Sequence, residues 1–188
     1  MSDLKQCPSN TVVALAGRRI DAPNAEEPRF PLKNVNKVRR RIAESLSDLK
    51  AVGLVCSAAC GADLTALEAA EQLGVRRRIV LPFAPLRFRE TSVVDRPGDW
   101  EVVFDRQIAT TSASGDLVVL DLEGDNDRAY AATNEAIIRE AQRLAETPVR
   151  LVAILVWEGS KRHGNDATAG FGDLARKAGF ARRSILTL

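Results

Sequence analysis

"GLVCSAACGADLTALEAAEQLG", residues 53–74, holds a strand, a turn and a helix in one line of sequence. The apolar run at 54–57 predicts a buried strand. Leu64, Leu67, Ala70 and Leu73 recur at helical spacing and predict a helix over 62–73, which Gly74 ends. Between them lie only small residues, Ser57-Ala58-Ala59-Cys60-Gly61-Ala62. Small residues at such a turn have two explanations. Either backbone packs closely against backbone there, or a ligand approaches the backbone closely.

The same alternation continues in both directions. "VVALA" at 12–16, "RIVLPF" at 78–83, "DLVVLDL" at 116–122, "VRLVAILVW" at 149–157 and "SILTL" at 184–188 predict strands. Helices are predicted at about 35–50, 99–112, 127–145 and 167–178 from their apolar spacing. The 127–145 helix is expected to bury Tyr130, Asn134 or Ile137, Ile138, Ala141 and Leu144. Several strands are continuously apolar, as strands covered on both faces are, and 149–157 is the most apolar and is expected to be central. The pattern predicts one α/β domain over 1–188. It is doubly wound, with a mostly parallel sheet of about six strands and helices on both faces. Two long pieces are expected to be irregular, 17–34 with Pro23, Pro28 and Pro31, and 83–98 with Pro85 and Pro97. Loops of that length inside a compact domain are usually functional or mobile. The second is expected to close over a site with Asp95 and Arg96 reaching inward, or else to be a loop pinned by an Asp–Arg pair.

Bulk properties narrow the function classes. A net charge of +2 gives no general attraction to nucleic acid or to an anionic membrane. No apolar run nears the ~20 residues that span a bilayer. "MSDLKQCPSN" has no apolar signal core, so a cytoplasmic location is expected. Cys7, Cys56 and Cys60 suit a reducing compartment. With His163 as the single histidine, the chain offers too few ligands for zinc, and no metal is expected.

In doubly wound sheets, ligands bind beyond the carboxyl ends of the strands. The candidate ligand residues follow from that rule. They are Gly17, Arg18 and Asp21 after the first strand, and Ser57, Ala58, Gly61 and Asp63 after the second. Pro82, Arg87 and Arg89 follow the third, and Trp157, Gly164, Asp166, Thr168 and Gly170 follow the 149–157 strand. Arg19 is a further source of positive charge. A glycine-containing turn at a helix start exposes N–H groups to an anion, and the two starts at 57–63 and 164–170 are placed to clamp a ligand from two sides. Asp63 would repel a phosphate but accept a bond from a ribose or a base. Asp166 is alternatively a plain N-cap, and Trp157 is either a stacking platform or a core-edge residue. Asp21, Asp63, Asp95, Asp121 and Glu123 supply acids and bases, but no spacing pairs two of them. A triad through His163 lacks partners.

"CSAACGADLTALEAAEQLG" with "RRIVLPF", "GRRID" and "SVVDRPGDW" resembles the SLOG superfamily. That Rossmann-like group includes DNA-processing protein A, the Lonely-guy and lysine-decarboxylase-like proteins, and the nucleotide-sensing regions of melastatin channels. The closest likeness is to a bacterial branch. It covers about residues 12–105, and "GNDATAGF" resembles a degenerate second motif. The resemblance implies a nucleotide or nucleotide-derived ligand and no separate cofactor. It implies either a sensor in signalling or defence, or an enzyme that cleaves the N-glycosidic bond of nucleoside monophosphates. Ser57, Gly61 and Asp63 match the first ligand loop, and Gly164 and Thr168 the second. Phe171 stands where the enzymes carry their catalytic glutamate, so the resemblance favours binding over turnover. The expected partner is a small molecule. A homodimer or a joined effector domain is compatible with the chain, while a membrane is not expected and nucleic acid is disfavoured by the low charge and few aromatics.

Overall fold

The computed structural model describes residues 10–124, 126–145 and 149–188; Cys7 lies outside them. Strands run over Thr11–Gly17 (β1), Ala51–Cys56 (β2), Arg76–Leu81 (β3), Leu117–Val119 (β4), Arg150–Trp157 (β5) and Ala181–Leu186 (β6). They form one six-stranded sheet in the order β4-β3-β2-β1-β5-β6, and every pairing is parallel. Helices span Val35–Asp48 (α1), Ala62–Gln72 (α2), Pro85–Ser92 (α3), Trp100–Ala113 (α4), Asp127–Leu144 (α5) and Ala167–Lys177 (α6).

The two-residue period of the strands builds two cores. Val13 and Leu15 of β1 join α1, α2, α3 and α4 on one face, while Val12 and Ala14 join α5 and α6 on the other. This is the doubly wound α/β, Rossmann-like arrangement expected from the continuously apolar strands. The chain walks outward from β1 to β4 and then returns, through α5, to place β5 on the opposite side of β1. The strand order therefore reverses between β1 and β5. That switch point opens a crevice at the strands' carboxyl ends.

Three sequence expectations need correction. The 83–98 segment is not irregular throughout, because residues 85–92 form α3. Pro85 occupies the first helical turn, where a missing N–H does no harm, so it begins the helix instead of breaking it. Phe88 is buried and meets Phe83 and Phe104 with ring centroids 6.0 and 6.1 Å away, so residues 85–92 are anchored to the core. β4 keeps only three residues, as a short edge strand. β5 lies between β1 and β6, one strand in from the edge, while β1 and β2 hold the middle.

Candidate functional site

A cavity of about 790 Å³ occupies the switch-point crevice, within the range of small-molecule sites. The end of β1, the turn before α2, the α3 and α5 faces and the start of α6 form its walls. The two small-residue helix starts singled out in the sequence therefore meet at one place. Of the expected ligand residues, Gly17, Arg18, Asp21, Ser57, Asp63, Asp166, Thr168 and Gly170 line it.

Arg18 has a different role from the one its charge suggests. Its side chain is 3% exposed. Nε and Nη2 donate to the Glu158 carboxylate at 2.6 and 2.9 Å, and Nη1 and Nη2 donate to Asp166 at 2.6 and 2.8 Å. Nη2 also reaches the Ser160 carbonyl at 3.0 Å. The guanidinium lies 5.8 Å from the centre of the Trp157 ring, which packs it from the side. Every guanidinium nitrogen of Arg18 is thus engaged by a carboxylate, and its charge is spent on Glu158 and Asp166. It ties the end of β1 to the end of β5 and to the start of α6. Arg29 pairs with the same Glu158, and its backbone N–H donates to Asp21 at 3.0 Å, so the 17–31 loop hangs on this network as well. Burial alone would raise the Asp166 carboxyl. The Arg18 guanidinium and the N–H groups of Arg162 and Ala169 outweigh it and hold the group well below the usual carboxylate range. Asp166 also accepts the Thr168 and Ala169 N–H groups at 3.0 and 3.1 Å, so it is the N-cap of α6.

Asp63 has the opposite environment. It is 7% exposed, and its carboxylate receives one hydrogen bond, from the Ala59 N–H at 3.2 Å. Burial pushes it up from the ordinary range to about 7, against the smaller pulls of that N–H and of Arg19. On the wall of the same cavity the Ser57 hydroxyl is buried and has no hydrogen-bond partner among the described residues. A buried, under-bonded carboxylate in a crevice marks a functional site.

Gly61 does not line the cavity. Its φ is +104°, and a Cβ there would lie 2.7 Å from the Arg18 carbonyl and 2.8 Å from the Ile20 nitrogen. The Arg18–Ile20 segment crosses this turn, with Ala62 N–H donating to the Arg18 carbonyl at 3.0 Å. The absence of a side chain at Gly61 is thus explained by chain meeting chain. A Cβ at Gly17 would likewise meet Ala62 and the Val156 carbonyl. Gly61→Ala is expected to destabilise the fold by roughly 2–3 kcal/mol, from left-handed strain plus overpacking. Urea unfolding checks this, and a change under about 0.5 kcal/mol would remove the close-approach explanation.

The remaining candidates lie elsewhere. Ala58 is wholly buried in the core. The buried Pro82 accepts the Leu122 N–H through its carbonyl. Arg87 stacks on Phe83 at 4.5 Å, and Arg89 pairs with Asp105, because helix α3 turns both away from the crevice while Phe88 points in. Trp157 donates to Ser184 and packs on Arg18. Gly164 and His163 sit in the exposed loop after β5, and Asp121 and Glu123 are exposed after β4. Phe171 is fully buried in the second core. Asp95 pairs with Arg19 and lies 3.5 Å from Arg96.

Sequence reading missed the opposite wall, made of Phe88, Ser92, Tyr130, Thr133 and Ile137. A signal was present, since Tyr130, Asn134 and Ile137 share one face of α5. That stripe borders the cavity as well as the core. Arg162 and Lys177 also line the cavity, are exposed, and have no carboxylate partner among the described residues.

No protein-family model matches the chain, and no curated protein does. Among solved structures the fold is similar to that of DNA processing protein A from Streptococcus pneumoniae. The TM-score is 0.55 at 16% identity, over 94% of this chain and 50% of that one. The chain thus spans about half the length of that neighbour, and what the two share is the Rossmann-like parallel sheet.

Proposed function

We propose that the chain is a cytoplasmic ligand-binding domain that senses a nucleotide or nucleotide-derived small molecule, in a bacterial signalling or defence setting. One observation carries this reading. A single cavity of about 790 Å³ lies at the strand-order switch point and gathers a buried, under-bonded carboxylate and an unpartnered hydroxyl. Both cysteines among the described residues are free and buried, which suits a reducing compartment. Among the described residues no helix is long and apolar enough to cross a membrane. Single-stranded DNA is not the proposed ligand, because a net charge of +2 and 5% aromatic residues supply few phosphate contacts and few stacking platforms.

Binding without turnover is favoured because Phe171, at the position of the glutamate in the enzymes this sequence resembles, is packed in the core. Asp63 keeps one alternative in play, since a carboxyl titrating near 7 suits a general acid in N-glycosidic cleavage. Calorimetry against nucleoside monophosphates, ADP-ribose and cyclic dinucleotides tests the main reading, with one site per chain expected. No heat with any of them would sink it. Release of free base on incubation with a bound nucleoside monophosphate would replace the sensor with an enzyme.

A further inference from the structure

The N–H groups at the α2 and α6 starts that open on the cavity are largely taken within the chain. At α6, Asp166 is ionised and already accepts the Thr168 and Ala169 N–H groups that a phosphate would need. At α2, the Ala62 N–H goes to the Arg18 carbonyl, the Cys60 N–H to the Ser92 carbonyl and the Ala59 N–H to Asp63. What this wall offers the cavity is acceptor capacity. The Asp63 carboxylate is more than nine-tenths buried and receives one bond, and the Ser57 Oγ has no partner. A phosphate there would face a carboxylate at each helix start.

We propose that the Ser57–Asp63 wall recognises hydroxyl donors, namely the vicinal diol of a ribosyl group. The phosphates of the same ligand then lie away from both helix starts, toward Arg162 and Lys177. This rests on the nucleotide-derived reading above and assigns its orientation. A diol presents two O–H donors at the spacing of one carboxylate, and a charge-assisted pair of that kind is strong in a buried site. The Ser57 hydroxyl can donate to or accept from the same sugar. Arg162 and Lys177 are the cavity-lining cations with no carboxylate partner among the described residues, though Asp127, Glu135 and Asp173 line the cavity as well.

The charged and titratable groups facing Asp63 are few. Arg19 approaches from the loop after β1 and is shared with Asp95 and Cys60, while Cys56 lies below at the end of β2. The Cys56 thiol is pushed up by burial and then by Asp63, so it stays neutral through the physiological range. Asp63 is thus the group that titrates at this wall near pH 7. Its ionised form is the acceptor of two hydroxyls. Affinity for a diol-bearing ligand should therefore rise about tenfold between about pH 6 and pH 8, with a proton released on binding.

The test is calorimetry on the full chain and on Asp63→Asn, a variant expected to fold. The probes are ribonucleoside monophosphates and ADP-ribose, the 2′-deoxy and 3′-deoxy monophosphates, methyl β-ribofuranoside and inorganic phosphate. Loss of either hydroxyl should weaken binding about tenfold to a hundredfold. Asp63→Asn should weaken the ribo ligand similarly and flatten its pH dependence. Equal binding of ribo and deoxy forms, or a wild-type affinity that falls toward pH 8, overturns the assignment while leaving nucleotide binding intact. Binding of the methyl riboside alone, lost in Asp63→Asn, keeps the assignment and removes the nucleotide reading. No binding by any diol-bearing probe removes both.

Discussion

Arg18→Ala is expected to lower the stability of the fold by about 3–5 kcal/mol at neutral pH, the usual effect of removing one partner from a buried ion network. Asp166 would lose its cation, and Glu158 would keep only Arg29. Asp166 has no exposed side-chain surface and Glu158 is 6% exposed, so neither can be rescued by water without local opening. The loss should also have a pH signature. In the wild type both groups are held below their ordinary values, Asp166 strongly. Their stabilising contribution is present above the ordinary carboxylate range and is lost as pH falls through the folded-state values. In Arg18→Ala the buried acids accept protons readily, so the gap between variant and wild type should narrow below about pH 4. Arg18→Lys should recover only part of the loss, because an ammonium cannot bridge two carboxylates as a guanidinium fork does. Urea midpoints at several pH values measure this. A loss below about 1 kcal/mol at neutral pH would show that Arg18 is not the tie between β1, β5 and α6.

Asp63→Asn should act in the opposite direction. The Asp63 carboxyl is raised to about 7 in the folded protein, while in the unfolded chain it titrates near the ordinary value. Between those two values the folded state holds a proton that the unfolded state has released. Stability therefore falls as pH rises across that window, and above it the ionised, buried carboxylate destabilises the fold by on the order of 4 kcal/mol. Asparagine keeps an oxygen for the Ala59 N–H and carries no charge. The variant should match the wild type at about pH 4 and exceed it by roughly 2–4 kcal/mol at about pH 8. A residue that weakens the apo fold while lining the cavity is best explained by what it does for a ligand. Thermal melts across pH would contradict this if the variant were no more stable than the wild type at pH 8.

Most of the architecture was legible in the sequence because the hydrophobic period survives in nearly every element. Val35, Val38, Ile42 and Leu46 mark α1, and the unbroken apolar run of β5 marks a strand covered on both faces. α3 was not legible, because Pro85 has the same letter whether it breaks a helix or opens one. Only the pocket that Phe83 and Phe104 make for Phe88 decides between them. The location of the site was legible in two helix starts after strands. Its chemistry was not, since sequence does not say which charges meet. Arg18 sits 140 residues from Glu158 and 148 from Asp166, and only the fold brings the three together. Asp63 and Asp166 have the same letter and similar neighbours, yet one is starved of partners and the other saturated. The small residues of "CSAACGAD" divide in the same way. Gly61 is small because Arg18–Ile20 crosses it, while Ser57, Ala59 and Asp63 are the members of the turn that line the cavity.

The central claim is that the switch-point cavity holds a nucleotide-derived ligand. Gly170 lines that cavity, and a Cβ there meets nothing within 4 Å, so a side chain can be added at the cavity wall without a clash at its first atom. Calorimetry of wild type and Gly170→Trp against the nucleotide panel, with both proteins shown to melt alike, is the direct measurement. The account predicts one site per chain in the wild type and at least a tenfold weaker affinity in Gly170→Trp, about 1.4 kcal/mol or more. Equal affinity in the two proteins, or no binding to the wild type by any member of the panel, would contradict it.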